Sequence, residues 1–188
     1  MIETIISNNC SGAAVMHELG MEFKTPTINL QILPEQFNFF CRSLAYYMSM
    51  DLVECSVSDL TEEHKEYLTK MFGGVPVMPF GLLDDILVCF QHYSTFAEAK
   101  QKWDERKARV DYDHIGFMFH ARGPEYKAEA ETFLKLDLKN KICITEGFVI
   151  PGSVALYPKE GDTAFSMVNG KLLITQITDY KLWREWGC

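Results

Sequence analysis

A polar turn near the start of the chain carries the residue types of an anion site or of a reactive thiol. The stretch TIISNNCSGAA, residues 4–14, places two asparagines, a cysteine, a serine and a glycine after a short apolar run. A turn that opens a helix presents unpaired backbone N–H groups and partial positive charge, which favour a phosphate, a carboxylate or a developing oxyanion. The same placement lowers the pKa of a thiol, so Cys10 is a candidate catalytic nucleophile. Ser7 and Ser11 are alternative hydroxyl nucleophiles.

Three further residues of this turn are candidate substrate contacts. Asn8 and Asn9 tolerate left-handed backbone or donate side-chain N–H groups, and Gly12 permits close approach of the backbone to a ligand. The structural alternative is that serine and asparagine side chains cap the helix while Cys10 packs beneath it. The turn has neither the Gly-x-Gly-x-x-Gly spacing of a dinucleotide site nor the Gly-Lys of a P-loop, so the sequence does not support ATP or NAD binding directly.

A second group of candidates follows the apolar run ILVCF, residues 86–90. His92 is placed to act as a general base on a sugar hydroxyl or on the Cys10 thiol, and Tyr93 is expected beside it as a substrate contact. The structural alternative is a histidine that caps a helix or packs under a loop. His120, at the end of a later predicted strand, is a further candidate.

Two arginines are candidate phosphate contacts, because a guanidinium group binds a phosphate through two N–H groups. Arg122 follows a predicted strand and is therefore expected at the ligand-binding edge of the sheet. Arg106 lies on a helix, where a structural role beside Trp103, pairing with a carboxylate, competes with ligand binding.

The elements that position these residues alternate between strand and helix. Strands are predicted at 2–7, 27–33, 52–58, 86–91, 114–120 and 141–145, and 75–83 is predicted as a loop. This order predicts a three-layer α/β fold, a mostly parallel sheet with helices on both faces. Ligands of such sheets bind beyond the carboxyl ends of the strands, so the first turn and His92 are expected to open onto one cleft.

The pattern changes after about residue 150. SVALYP, TAFSMV and KLLITQI are predicted strands, the last two joined by Asn169-Gly170 in an antiparallel hairpin. DYKLWREW is predicted as a short closing helix. We interpret residues 1–188 as a single α/β domain with a hairpin extension at about 150–180.

Composition restricts the partners and the compartment. The net charge of −8 disfavours nucleic acid and anionic membrane surfaces, and no apolar run approaches the ~20 residues of a membrane span. The first ten residues lack the features of a secretory signal. Six scattered cysteines without a C-x-x-C pair predict free thiols in a cytoplasmic protein and no metal site, while the oligomeric state stays open.

The chain resembles a bacterial family of uncharacterised proteins, a domain-of-unknown-function family often labelled exopolysaccharide biosynthesis proteins. The resemblance runs from residue 4 to about 146 and rests on IISNNC with Gly12, on Thr25-Pro26, and on PFGLLDDILVCFQHYSTFAEAKQKWDERKARV, residues 79–110. It implies a role in making or decorating surface polysaccharide.

These observations leave several functions open. We expect a transferase that acts on a polysaccharide or its precursor, and acyl transfer to a sugar is the preferred reaction. It would use Cys10 or Ser7 with His92 as base, the first turn as oxyanion hole, and acyl-coenzyme A as a possible donor. A glycosyltransferase is weakened by the lack of an Asp-x-Asp motif. The same residues also suit a non-catalytic protein that binds carbohydrate or phosphate, or a Ser–His hydrolase that uses Ser7.

Overall fold

The structure is a computed structural model that describes residues 2–178, and this range contains ten strands and seven α-helices. The strands are β1 (Thr4–Ser7), β2 (Gln31–Ile32), β3 (Val53–Cys55), β4 (Phe80–Leu83), β5 (Ile86–Cys89), β6 (Ile115–Ala121), β7 (Lys141–Glu146), β8 (Val154–Leu156), β9 (Met167–Val168) and β10 (Lys171–Leu172). The helices are α1 (Ser11–Glu18), α2 (Pro34–Arg42), α3 (Leu44–Ser49), α4 (Glu62–Phe72), α5 (Phe96–Lys107), α6 (Lys127–Lys135) and α7 (Leu173–Thr178).

Two four-stranded sheets form the frame of the molecule. One is entirely parallel, in the order β1-β6-β7-β8, and the other is antiparallel, in the order β2-β5-β4-β3. The strands β9 and β10 form a separate antiparallel hairpin around Asn169-Gly170. The predicted fold class, α/β with a mostly parallel sheet, helices and a C-terminal hairpin, is confirmed.

Helices cover both faces of the parallel sheet because side chains alternate along its strands. Ile5, Met118 and Ile144 belong to the apolar cluster that includes α1 and Ile174 of α7. Ile6, Phe117 and Phe119 point the other way, into the cluster that contains Phe37 of α2 and Phe133 of α6. Val88 of the second sheet belongs to this same core, together with Trp103 of α5. Leu87 and Cys89 belong to a separate cluster with Leu60 and with Leu68 of α4.

The membership of the sheets differs from the sequence prediction. The apolar run at 86–89 was expected in the parallel sheet, but β5 pairs antiparallel with both β2 and β4. Residues 80–83, predicted as a loop, form β4. The reason is the two-residue connection Asp84-Asp85, in which Asp84 takes a left-handed φ of 56°, because so short a turn joins only antiparallel neighbours.

Several predicted starts and ends of helices are confirmed, and other local predictions are not. Pro34 opens α2, and Gly73, with φ of 77°, ends α4. In the segment KLLITQI, only Lys171–Leu172 is strand, and Leu173–Thr178 is helix. The predicted helix DYKLWREW lies outside the described residues.

The cysteines of the described range are all free, as predicted. Cys41, Cys55, Cys89 and Cys143 are buried, and Cys10 is half-buried. No helix formed by residues 2–178 has the length and apolar character needed to cross a bilayer.

Candidate functional site

Two adjoining cavities open at the carboxyl ends of β1 and β6. The first, of about 190 Å³, is lined by Lys70 and Tyr126 among others, and we call it the Lys70 cavity. The second, of about 310 Å³, is lined by Cys10 and His92 and is called the Cys10 cavity. Both are lined by Asn9, Gln31 and Arg122, so they form one cleft.

The two sheets meet beside this cleft. The N–H of Ile32 in β2 donates to the carbonyl of Asn8 at 2.9 Å, directly after β1 ends. The antiparallel sheet is thereby held next to the carboxyl edge of the parallel sheet. The segment that follows β5 therefore reaches the cleft although β5 belongs to the other sheet.

The side chains of Asn8 and Asn9 join the turn after β1 to the backbone of β6 by hydrogen bonds. The Asn8 amide accepts from the backbone N–H of His120 at 2.9 Å and donates to its carbonyl at 3.2 Å. The Asn9 amide donates to the same carbonyl at 3.4 Å and accepts from Ser11 N–H at 3.0 Å. These side chains line the cleft, but each amide already uses its oxygen and one of its two N–H donors on the backbone, so their first role is to hold the turn.

Ser7 and Gly12 are buried and contact each other. The Ser7 hydroxyl accepts from the N–H of Gly12 at 3.3 Å and from that of Asn9 at 3.5 Å. A Cβ placed on Gly12 would lie 2.5 Å from the Ser7 Cβ. The close approach that Gly12 permits is therefore between α1 and β1, and Ser7 satisfies helix N–H groups at this position.

Cys10 is the N-cap of α1 and has a protonated thiol at neutral pH. Its Sγ contacts the side-chain oxygen of Gln91 at 3.4 Å and the carbonyl of Leu30 at 3.8 Å. Burial raises its pKa to about 11, although the positive charge of Arg122 acts in the opposite direction. The expectation that the helix N-terminus lowers the pKa of Cys10 is wrong, because loss of solvation outweighs the partial charge of the helix.

His92 shares a cavity with Cys10, as the sequence predicted. His92 is exposed, whereas Cys10 is half-buried. The Cys10 thiol is bonded to Gln91 rather than to the imidazole. The two candidates therefore face the same space without forming a nucleophile–base hydrogen bond in this structure.

Tyr93 and Arg106 lie outside both cavities and pair with each other. The guanidinium of Arg106 donates to the Tyr93 hydroxyl at 2.6 Å and stacks 6.0 Å from the ring centre of Phe23. The Tyr93 hydroxyl also faces the carbonyl of Ile28 at 3.5 Å. The structure assigns this pair to the packing of α5 and does not bring it to the cleft.

Arg122 and Lys70 are the cations of the cleft. Each is exposed and lies over an aromatic ring, Arg122 at 5.7 Å from the centre of Phe165 and Lys70 at 4.9 Å from that of Tyr126. Within residues 2–178, neither one forms an ion pair with a carboxylate. Glu125 is the carboxylate among the lining residues of the Lys70 cavity. Lys70 had no distinguishing signal in the sequence.

A buried chain of polar groups connects three elements behind the cleft. The Ser11 hydroxyl lies 2.7 Å from Nδ1 of His120, and Nε2 of His120 lies 3.3 Å from Oε2 of Glu146. Ser11 and His120 are 0% and 1% exposed. Sequence reasoning had named Ser11 and His120 separately, but Glu146 carries no local signal and enters only through the pairing of β6 with β7.

The protonation of this chain follows from its surroundings. Burial holds the pKa of His120 below its ordinary value, against the opposing effect of Glu146. Burial disfavours ionisation of Glu146, but contact with His120 and the charge of Arg122 bring its pKa below the ordinary value. An ionised Glu146 favours the imidazole proton on Nε2, which leaves Nδ1 to accept the Ser11 hydroxyl proton.

Comparison with known proteins gives one family and one relative. Residues 2–154 match the family described as "Domain of unknown function (DUF1919)". The chain is also similar to an "Uncharacterized protein" of Haemophilus influenzae (strain ATCC 51907 / DSM 11121 / KW20 / Rd), with 29% identity over 188 residues. That alignment covers 96% of this chain and 82% of the relative.

Proposed function

This chain belongs to the DUF1919 family, and we propose that its cleft binds an anionic saccharide such as a sugar phosphate used to build surface polysaccharide. The observation that carries the proposal is the position of Arg122, exposed in both cavities and without a carboxylate partner among the described residues. A guanidinium group presents two parallel N–H donors, which match two phosphate oxygens.

Two cations face this cleft in a chain that is acidic as a whole. The whole chain has a net charge of −8, which repels anions in general. Arg122 and Lys70 bring two positive charges to the Lys70 cavity, and Glu125 is the carboxylate of its lining. The ionised Glu146 behind the cleft interacts with Arg122 without forming an ion pair with it, so both cations remain available to contact an anion.

Neutral groups in the same cleft suit the sugar. Gln31 uses its amide N–H on the carbonyl of Ile32, which leaves its side-chain oxygen available, and Gln91 uses its side-chain oxygen on Cys10, which leaves its NH₂ group available. One acceptor and one donor are the groups that bind hydroxyls. The rings of Tyr126 and Phe165 supply apolar walls at the two ends of the cleft.

Binding of glucose 1-phosphate tests the proposal, with glucose as the uncharged comparison. By isothermal titration calorimetry, we expect glucose 1-phosphate to bind and glucose to bind far more weakly. Arg122→Ala should weaken binding about tenfold or more, because a charge-assisted hydrogen bond contributes about 1.5–3 kcal/mol. Arg122→Lys, which keeps the charge and loses the fork, should be intermediate.

The matched control is Arg109→Ala, since Arg109 is an exposed arginine just after α5 that lines neither cavity and contacts Glu22 at 3.3 Å. It should bind glucose 1-phosphate as the wild type does. Equal affinities for the wild type and Arg122→Ala, or equal binding of glucose and glucose 1-phosphate, would contradict the proposal.

A second candidate function is acyl transfer to the bound sugar, with an acyl thioester such as acetyl-coenzyme A as donor. The observation that favours it is that Cys10 and His92 line one cavity with Arg122. Cys10→Ala and His92→Ala should each abolish acetylation of glucose 1-phosphate while the protein stays folded. Unchanged rates in both variants would remove this pair from the reaction.

A further inference from the structure

We propose that Ser11, His120 and Glu146 form a nucleophile–base–carboxylate chain for acyl groups, and that the ring of Phe165 separates it from the Cys10 cavity. This proposal rests on the proposed function, because it names a nucleophile for acyl transfer at the cleft. It is the alternative to Cys10 as the attacking group, so under this proposal Cys10→Ala retains acyl transfer and Ser11→Ala loses it, while the anion contact at Arg122 is unchanged.

The distances among the three side chains support the proposal first. The distance of 2.7 Å between the Ser11 hydroxyl and His120 Nδ1 is that of a nucleophile bonded to its base. The carboxylate of Glu146, 3.3 Å from the second ring nitrogen, orients the imidazole and stabilises its protonated form. The three groups come from α1, β6 and β7, so the fold itself assembles them.

Two buried polar atoms of His120 and Glu146 also support the proposal. His120 Nε2 and Glu146 Oε2 are both inaccessible to solvent and make no hydrogen bond of good geometry with any group of the described chain. Buried polar atoms of this kind are costly for stability. If Ser11, His120 and Glu146 only stabilised the fold, these two atoms would be expected to have hydrogen-bond partners. An acid–base pair whose contact shortens during a reaction leaves the two atoms in loose contact beforehand.

The position of Phe165 is the third argument. Its ring lines the Cys10 cavity and lies 6.3 Å from the imidazole of His120, edge to face. Ser11 and His120 are buried, and His120 also lines the Lys70 cavity, whereas neither residue lines the Cys10 cavity. Rotation of the half-buried Phe165 ring would therefore open Ser11 and His120 to the Cys10 cavity as well.

The proposed reaction takes an activated acyl ester or thioester as co-substrate. The Ser11 oxygen bonds to the acyl carbon, its proton moves to His120 Nδ1, and the bond to the leaving thiol or alcohol breaks as that group takes the proton. A sugar hydroxyl then attacks the Ser11 ester and gives its proton to His120. The ester bond to Ser11 breaks, and the serine oxygen recovers a proton from His120.

A fluorophosphonate probe tests the nucleophile without knowledge of the natural substrate. Attack by Ser11 forms an oxygen–phosphorus bond and expels fluoride, and the serine proton passes to His120. We expect labelling at Ser11, located by mass spectrometry of the peptide, and faster labelling in Phe165→Ala and Phe165→Leu. In either background, Ser11→Ala should abolish labelling at this peptide, and His120→Gln should slow it about 100-fold.

Matched control variants distinguish the effect of Ser11, His120 and Glu146 on the labelling rate from a general effect of mutation. His114 is an exposed histidine 2.9 Å from Asp111, and His114→Gln should leave labelling unchanged, as should Ser94→Ala at an exposed serine. Glu146 acts as a positioning residue, so Glu146→Gln should slow labelling and shift its acid limb to lower pH. The charged groups around the imidazole are Glu146 and Arg122, and only the first changes in that variant.

The outcomes are distinct from those of the binding experiment. Labelling at another serine, or none in folded Phe165→Leu, overturns the Ser11 chain even when glucose 1-phosphate binds normally. Labelling at Ser11 that is unaffected by His120→Gln also overturns it. Loss of glucose 1-phosphate binding with intact labelling overturns the function proposed for Arg122 and leaves this chain in place.

Discussion

The hydroxyl of Ser11 and the imidazole of His120 lie 2.7 Å apart although 109 positions separate them in the sequence. The contact joins the first turn of α1 to the end of β6, next to two hydrogen bonds between Asn8 and the His120 backbone. The first turn of the chain is thus fixed by its contacts with β6, and the cleft depends on that connection.

Asn8→Ala should destabilise the protein because it leaves the N–H of His120 buried without its partner at 2.9 Å. The carbonyl of His120 keeps its bond from Asn9, so the expected loss in the free energy of unfolding is about 1–3 kcal/mol. Urea denaturation measures it, with Gln101→Ala on the exposed face of α5 as the comparison. A loss no larger than that of the comparison variant would contradict the assigned role of Asn8.

Gly12→Ala should also destabilise the fold, for a steric reason. The added Cβ would lie 2.5 Å from the Ser7 Cβ, so α1 must shift away from β1 at an expected cost of about 1–3 kcal/mol. Gly74 has no atom within 4 Å of the same added group, and Gly74→Ala is the matched control. Equal urea midpoints for the two variants would show that the Gly12 contact carries no constraint.

Alkylation of Cys10 by iodoacetamide should be slow at neutral pH, since only the thiolate reacts and the pKa is about 11. The rate should rise about tenfold per pH unit until it approaches that pKa. Arg122→Ala should slow the reaction further at any given pH because the guanidinium charge favours the thiolate, while Arg109→Ala should not. Rapid labelling of the Cys10 peptide below pH 7 would exclude the buried, protonated thiol.

The free energy of unfolding should fall as the pH decreases from about 7 to 5. Burial keeps the pKa of His120 below its ordinary value, so the unfolded chain takes up a proton in this window while the folded chain does not. Stability from His120 is therefore present above about pH 6.5 and is lost at lower pH. The lowered pKa of Glu146 has the same sign and acts below about pH 4.5.

His120→Gln should reduce that slope, measured by urea denaturation at a series of pH values. His64, whose pKa is also lowered by burial, contributes a separate share, and His64→Gln serves to subtract it. If His120→Gln unfolds with the same pH dependence as the wild type, His120 is not buried in its neutral form.

Tyr93→Phe should leave the affinity for glucose 1-phosphate unchanged, because the Tyr93 hydroxyl faces Arg106 and not the cleft. Calorimetry of this variant beside Arg122→Ala compares the two regions directly. Weaker binding by Tyr93→Phe would show that the Tyr93–Arg106 pair belongs to the substrate site, as predicted from the sequence.

The fold could be predicted from the sequence wherever a local pattern decides the structure. Proline at the start of α2, glycine after α4 and the Asn169-Gly170 turn fix their backbone directly. The sheet of β5 could not be predicted in this way, because an apolar run suits a buried strand of either orientation. The deciding feature is the two-residue turn at Asp84, which follows a proline-rich stretch typical of a loop.

The cleft was predicted in the right place for a partly wrong reason. His92 was expected beside Cys10 because both were assigned to one parallel sheet, whereas the hydrogen bond from Ile32 to Asn8 joins two sheets there. Glu146 was beyond prediction because its contact depends on the register in which His120 pairs with Ile144, two residues earlier in β7. Register is a tertiary property that local residue types do not specify.

The match to the DUF1919 family extends over residues 2–154, and it includes Ser11, His120 and Glu146 but ends before Phe165. The alignment with the Haemophilus influenzae relative covers 96% of this chain and so continues past that range. Under the proposed mechanism, a substitution at Phe165 would change access to Ser11 and His120 without changing the reacting groups themselves.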